Sequence, residues 1–364
     1  MAGERVPHRS GLTRSTPGGR RAPLIACALA LVAMLPGVAT SAADRRPPHV
    51  RVVATGGTIS NAPTGRLTAA QLVAALPATE RLGRIDVDTF ATAPSAGLTL
   101  EDCVGLSRHL VEVFAADPDL DGIVVTMGTD TLEEIAWFLH LTVPGERPVV
   151  VVGAMRRPSD RDADGTANLV DAVTVAGSPR SRGRGTLVVM HGQIHTAREA
   201  QKRHATDVAA FDAPEGERLG TVRRGRVHVS EEPATGPRPG SLALSGDAVL
   251  PRVDVLLTYQ GASGDLIDAA IQQGARGIVL AAGGAGALTP SQTDAAQRAA
   301  RAGLPVVVSS RTGAGRVTAL TPAQLPLIAA GDLAPVKARL VLMLALARNL
   351  EGARIAALFE TASP

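Results

Sequence analysis

Aromatic residues are almost missing from this 364-residue chain, which holds five Phe, one Trp and one Tyr. Single-stranded nucleic acids are bound by stacking bases on aromatic platforms, so seven rings argue against that class. Cysteine is nearly missing too. Only Cys27 and Cys103 occur, too few for a disulfide framework. No long run of one charge sign appears, and charged residues make up 20%, which argues against wholesale disorder. Lysine is the rarest cation: of 37 basic residues only Lys202 and Lys337 are not Arg. What the chain does have is apolar substance. It is 45% hydrophobic, with 38 Gly and 25 Pro, enough for a sizeable core in one large or two medium domains.

The formal charge of +3 comes from the N-terminus. Residues 1–43 carry Arg5, Arg9, Arg14, Arg20 and Arg21 against one Glu; without them 32 basic residues face 33 acidic ones. A basic partner surface is therefore not indicated. The arginines precede an apolar stretch, Ala22–Val38, closed by the small residues Thr40-Ser41-Ala42-Ala43. That is the order of a secretory signal peptide. A membrane anchor needs roughly 20 apolar residues, and Pro23 and Pro36 interrupt this stretch. Arg20-Arg21 lacks the rest of a twin-arginine signal, and most of the apolar stretch follows Cys27, the wrong side for a lipoprotein box. The expectation is a mature protein beginning near Asp44, periplasmic or secreted, without membrane attachment after cleavage and with Cys103 as its one thiol.

Beyond Arg45–Pro48, short β-branched runs alternate with segments of helical period. Val50–Thr55, Gly122–Thr126, Pro148–Gly153, Thr186–Met190, Val253–Thr258, Gly277–Ala282 and Pro305–Ser309 predict strands. Leu132, Ile135, Ala136 and Leu139 share one helical face between two of them. Such alternation predicts an α/β fold with a mostly parallel sheet. The Pro-, Gly- and Ser-rich stretch Glu231–Gly246 interrupts it, and the alternation then restarts. The expected layout is a signal peptide at 1–43, an N-terminal domain at 48–232, a linker at 233–246 and a C-terminal domain at 247–364.

Three places carry candidate chemistry. Ala54-Thr55-Gly56-Gly57-Thr58 leaves a strand, and open α/β sheets place ligands at carboxyl strand ends. Its glycines permit a tight turn whose amides face a ligand. A hydroxyl beside them can act as nucleophile while the amides hold an oxyanion, although an ordinary strand-exit turn reads the same way. Thr126-Met127-Gly128-Thr129-Asp130-Thr131 occupies the equivalent place after another strand, directly before a helix. Asp130 with Glu133, or Thr131 with Glu134, fits a helix-capping box. Capping does not explain why Thr129 and Asp130 fall where Thr58 falls, and two such turns can face one crevice. The third place is Lys202, kept in a chain that otherwise uses Arg. A desolvated Lys can lose its proton and serve as a base, which Arg cannot; a solvated surface amine is the plain alternative.

Other patterns are weaker. Asp160-Arg161-Asp162-Ala163-Asp164-Gly165 with Asp171 imitates a calcium loop, yet a strand precedes it and Asp replaces the closing Glu. Gly283-Gly284-Ala285-Gly286 lacks the spacing and acidic ribose partner of a dinucleotide loop. His191 and His195 are four apart, but Gly192 and the strand exit argue against a shared helix face. Neither a metal nor an organic cofactor is expected.

Five strings in one register, ATGGTIS (54–60), VTMGTDTLEE (125–134), VVVVGAMRRPSD (149–160), ADGTANLVDAV (163–173) and HTAREAQKRHATDVAAF (195–211), resemble the bacterial L-asparaginase family, above all its exported members. The likeness spans residues 50–345. It implies a larger N-terminal sheet domain, a smaller C-terminal parallel-sheet domain and a homotetramer built as a dimer of dimers. It implies Thr58 as a threonine nucleophile, with Thr129, Asp130 and Lys202 as the second threonine and its Asp–Lys companions. Ser95, in FATAPSAGLT, falls where the substrate α-carboxylate is bound, and Asp130 where the α-amino group is bound. The tyrosine usual on the family's loop after the nucleophile has no counterpart in Ser60–Arg66.

The implied reaction is hydrolysis of L-asparagine to L-aspartate and ammonia, with L-glutamine as a side substrate. The expected partner is thus a small molecule and no nucleic acid. A different class stays open: an exported amino-acid-binding protein on the same scaffold whose hydrolysis is weak or lost. The retained pair of hydroxyls with Asp130 and Lys202 speaks against it, because binding alone does not need them. A cytoplasmic amidotransferase-type relative is disfavoured by the N-terminal segment.

Overall fold

The structure, a computed structural model, describes residues 46–77, 79–214, 218–230, 236–246, 248–317 and 320–362. The segment read as a signal peptide lies outside them, as do residues 231–235 of the Pro/Gly-rich stretch. The chain begins with β1 (His49–Gly56), a small hairpin of β2 (Asn61–Ala62) and β3 (Gly65–Arg66), α1 (Ala69–Ala74), β4 (Arg84–Ala93) and α2 (Leu100–Ala116). It continues through β5 (Gly122–Thr126), α3 (Leu132–Thr142), β6 (Val149–Val152), α4 (Gly165–Ala176) and β7 (Thr186–Met190). Short strands follow: β8 (Gln193–Thr196), β9 (Gln201–Lys202), β10 (Phe211–Asp212), β11 (Gly220–Arg223) and β12 (Arg226–Val229). The C-terminal part is β13 (Val253–Leu257), α5 (Asp265–Gln272), β14 (Gly277–Ala282), α6 (Pro290–Arg301), β15 (Val306–Ser310), β16 (Ile328–Ala329), α7 (Pro335–Ala347) and α8 (Gly352–Ala362).

Eight strands form the large N-terminal sheet, in the order β12-β11-β8-β7-β6-β5-β1-β4. From β4 to β7 all neighbours are parallel. Beyond β7 the pairing becomes antiparallel, because His191 (φ 50) and Gly192 (φ 69) fold the chain straight back as a hairpin. The smaller C-terminal sheet, β13-β14-β15-β16, is parallel throughout. Every residue of β5, β6, β7, β14 and β15 is buried. Strands covered on both faces read as unbroken Val, Ile and Leu runs, which is why their positions were legible.

β4 was not expected from the sequence. Its residues RIDVDTFATA intersperse Arg84, Asp86 and Asp88 among apolar ones, and none of them is buried, as suits the edge of a sheet. Two helices join the sheets. α3 contacts β6, β7 and α7, and α7 in turn contacts β13, β14 and β15. Nearly all of α3 is buried, including Trp137 and Phe138. Beyond Lys337 and Arg339 α7 is apolar around its whole circumference, as a helix enclosed between two sheets must be. The described end of the Pro/Gly-rich stretch lies on this layer. Gly240 N–H donates to His140 O (2.8 Å), Leu242 N–H to Leu141 O (2.8 Å), and the Leu242 side chain is buried.

Candidate active site

Three loops meet at the carboxyl ends of β1, β4 and β5, where the strand order reverses: β4 flanks β1 on one side, and β5, β6 and β7 run off the other. Open α/β sheets form their ligand crevice at such a point. Gly56 (φ 112) and Gly57 (φ 85) turn the chain out of β1 in conformations that strain any other residue. Space demands glycine as well. A Cβ on Gly57 would lie 2.1 Å from the Gly128 nitrogen, and one on Gly128 would lie 2.8 Å from Ser95 Oγ. A Cβ on Gly153, at the end of β6, would lie 2.9 Å from Thr129 Cγ2. Backbone therefore presses on backbone, which draws the Thr58, Ser95 and Thr129 loops onto one spot.

Thr58 opens a single 3-10 turn, Thr58–Ser60, and is half-buried. The amides of this turn were expected to face a ligand, but the Gly57 N–H is given to Ala93 O (3.1 Å). Any oxyanion donors must come from its neighbours. The Gly57 carbonyl accepts from Ser60 Oγ (3.0 Å) and Arg66 Nη1 (3.1 Å), which ties the β2–β3 hairpin beneath the turn. Ser95 is buried in the one-turn helix Ser95–Gly97 that follows β4.

Thr129 and Asp130 leave β5, and the capping box proposed for α3 does not form. Thr131 is the N-cap residue without any side-chain cap bond, and its Oγ1 is buried and unpartnered. The acids are engaged elsewhere. Asp130 Oδ1 accepts from Lys202 Nζ at 2.7 Å, and Glu133 Oε2 accepts the Lys202 backbone N–H at 3.2 Å. Lys202 Nζ also donates to Thr129 Oγ1 at 2.9 Å. Thr129 is buried, the Lys202 side chain is 16% exposed and that of Asp130 is 75% exposed. One carboxylate thus holds the lysine and still opens to solvent, where an ammonium group can approach. The β9–β10 ladder presents Lys202 opposite Phe211, and Arg203 N–H donates to Ala210 O at 2.6 Å.

Thr129, Asp130 and Lys202 are therefore joined by direct hydrogen bonds, while Thr58 and Ser95 approach them through Gly128. Sequence reasoning missed Gly128, the hub of these contacts, and read Glu133 only as a cap. Burial pushes the Glu133 carboxyl up, against the pull of Lys337, the Lys202 amide, and the Arg203 and Lys202 charges. Lys337, the second lysine, sits behind this layer with 1% exposure.

The discarded patterns resolve physically. Asp164 accepts from the Met155 and Arg156 amides and from Asn168 Nδ2; Asp160 accepts from the Arg157 amide, and Asp162 pairs with Arg156. These acids stabilise their own loop. His195 lies buried inside β8 with neither ring nitrogen partnered, and burial pushes its imidazole down to about 4. Among the described residues, His49, Asp86 and Asp117 gather closely enough to hold a cation. Asp86 already takes His49 Nε2 at 2.9 Å together with Arg84 and Arg51. A carboxylate facing two guanidinium groups is an ion-pair cluster.

Comparison with known proteins matches two family models: Asparaginase, N-terminal, over residues 49–235, and the Glutaminase/Asparaginase C-terminal domain over residues 252–359. The chain is 36% identical over 324 residues to L-asparaginase 2 of Bacillus subtilis, covering 86% of each chain. It is 33% identical over 328 residues to the probable periplasmic L-asparaginase of Haemophilus influenzae, covering 86% of this chain and 93% of that one. Among solved structures, a probable cytoplasmic L-asparaginase from Campylobacter jejuni superposes with a TM-score of 0.81 at 34% identity, covering 86% of this chain and 99% of the other.

Proposed function

The chain belongs to the asparaginase family, and from that premise we propose that the Thr58–Thr129–Asp130–Lys202 crevice is its active site. The protein is an L-asparaginase, an amidohydrolase acting on the side-chain amide of asparagine; the reading as a binding protein is not favoured. The observation that carries the site assignment is Lys202 Nζ, bonded to Thr129 Oγ1 and Asp130 Oδ1 at the strand-order reversal.

In this reading Thr58 Oγ attacks the amide carbon and gives up its proton as the bond forms. Lys202, acting as an amine, takes up that proton through Thr129 and passes it to the leaving nitrogen, so ammonia departs and an aspartyl ester of Thr58 remains. Water then cleaves the ester, releasing aspartate and restoring the hydroxyl. Asp130 orients Lys202 and receives the substrate α-ammonium on its open side, and Ser95 donates to the α-carboxylate. Backbone amides around the Thr58 turn stabilise the oxyanion. L-Glutamine is a slower substrate, since one methylene is worth about 1–3 kcal/mol in such a pocket.

Export is proposed from the arginine-led apolar stretch ahead of Asp44. A relative named periplasmic supports it, and another is named cytoplasmic. No described helix is long and apolar enough to cross a membrane. The division at 233–246 and a homotetramer complete the reading; the two family-model spans support the former. The test is ammonia release from asparagine and glutamine side by side, with an acid quench during turnover and peptide mass analysis. The peptide holding Thr58 should gain one aspartyl group; the gain on another hydroxyl-bearing peptide would refute the nucleophile.

A further inference from the structure

The chain uses Arg for 35 of its 37 cations, and its second lysine has no part in the chemistry above. Lys337 lies in the first turn of α7, in the layer between the sheets, and is 1% exposed. Burying an ammonium there carries a large desolvation penalty, and an apolar side chain of similar length would avoid it. That penalty is offset by unusually complete bonding. Lys337 Nζ donates to the carbonyls of Ala197 (3.0 Å), Arg198 (2.6 Å) and Ala200 (2.6 Å). Three acceptors converge on one point, which matches the three protons of an ammonium and not the flat fork of a guanidinium.

Those carbonyls belong to the segment that delivers Lys202. The chain leaves β8 at Thr196, turns with Ala200 N–H on Thr196 O (3.0 Å), and enters β9 one residue before Lys202. On the opposite side Glu133 accepts the Lys202 amide. Arg198 adds a second tie from the C-terminal part, pairing with Asp332 at 2.6 Å as well as with Glu199. The loop is thus fastened from α7, and its end is fastened to α3, whose preceding residues carry Thr129 and Asp130. The lysine tip must meet both groups, at 2.9 and 2.7 Å, so a shift of an ångström in this segment breaks the set.

We propose that Lys337 is a positioning residue for amide hydrolysis: by gathering the carbonyls of Ala197, Arg198 and Ala200 it sets the height from which Lys202 reaches Thr129 and Asp130. The proposal rests on the site assigned above. The Lys337 ammonium bonds to the carbonyls of Ala197, Arg198 and Ala200 and acts through Lys202 alone. Burial pushes its ammonium down to about 8, with Glu133 and Glu199 opposing that fall and Arg198 adding to it, so the strap stays largely charged near neutrality.

The test is a double-mutant cycle on the full chain, with kcat and KM measured for asparagine in wild type, Lys337→Met, Lys202→Ala and the double variant. Lys337→Met should lower kcat ten- to a hundredfold with KM changed less than threefold, while gel-filtration volume and near-UV dichroism stay as in wild type. In the Lys202→Ala background the same substitution should cost less than twofold, because a residue acting through Lys202 has nothing left to position. Equal losses in both backgrounds would make Lys337 a purely structural residue and overturn the proposal, as would wild-type kcat in Lys337→Met. Should Lys337→Met fail to fold, Lys337→Gln, which keeps two donors, carries the same cycle with a smaller expected loss. If Lys202→Ala itself retains full activity, the site assignment fails and the proposal with it; if Lys202→Ala is inactive and Lys337→Met is not impaired, the proposal alone fails.

Discussion

Two glycine pairs leave two buried parallel strands, Gly56-Gly57 after β1 and Gly283-Gly284 after β14, and they finish in different ways. After β14 the turn closes on itself: Gly283 N–H donates to Ala287 O (3.0 Å), and the Ser310 hydroxyl donates to Gly284 O (2.6 Å). A Cβ added to Gly284 would meet open space. After β1 the Gly57 carbonyl is satisfied by Ser60 and Arg66, and the glycine itself presses on Gly128. A serine hydroxyl therefore satisfies a glycine carbonyl in both turns, Ser310 after β14 and Ser60 after β1, and what differs is the contact with a neighbouring loop. A carboxyl strand end is only a permissive place; the proposed site adds to it the neighbouring strand's Thr–Asp turn and a lysine from a remote loop.

The sharpest way to break this contrast is to remove a hydroxyl from each turn. Thr58→Ala should lower kcat at least a thousandfold while the fold persists, whereas Ser310→Ala should leave it within about twofold. Ammonia release reads both, and a Thr58→Ala variant with a tenth of wild-type turnover would end the comparison. Next in size is Lys202→Arg, which keeps charge but cannot serve as an amine. It should lose about as much as Lys202→Ala, on the order of 10²–10⁴ in rate. Substantial activity in the Arg variant would leave Lys202 a structural charge.

Acid should separate the two sheets as well. All eight histidines precede the C-terminal sheet, and among the described ones His195 is fully buried, neutral in the fold with its value down at about 4. An unfolded chain takes a proton on this ring near 6.5, so it binds more protons than the native state between those values. The stabilisation is complete above about 6.5 and is lost as pH falls towards 4, by about 3 kcal/mol from this group. Urea titrations at pH 7 and pH 4.5 should show His195→Leu losing less stability than wild type; equal losses would place the acid sensitivity elsewhere.

Smaller effects refine the crevice. If the proposed site is right, Ser95→Ala removes one contact to the substrate carboxylate and should raise KM ten- to a hundredfold, with kcat less affected, and Asp130→Ala should be worse because it also frees Lys202. A larger kcat defect in Ser95→Ala than in Asp130→Ala would reverse their roles. The smallest effect belongs to Gly284→Ala. Its φ of 48 and open surroundings predict a loss of about 1 kcal/mol and unchanged kcat; thermal unfolding with an activity assay checks both.

The sequence by itself determined the elements that bury both faces. The Val-rich runs of β5, β6, β7, β14 and β15 are too apolar to lie anywhere but inside a parallel sheet. It also marked Thr58, Thr129, Asp130 and Lys202, because unusual residues at strand exits, and a lysine among arginines, stand out locally. Edge strand β4 stayed hidden, since its Arg and Asp residues leave no unbroken apolar run and none of its side chains is buried. The capping box at Asp130 was misread because its acids are claimed by Lys202, 72 residues away along the chain. Only tertiary structure decided that Gly128 would be the hub of three loops, that the Gly57 amide would be spent on Ala93, and that Lys337 would reach back 137–140 residues to the loop before Lys202. Hydrogen bonds and close backbone contacts between distant segments leave no periodicity in a sequence; they exist only once the sheets have set the segments side by side.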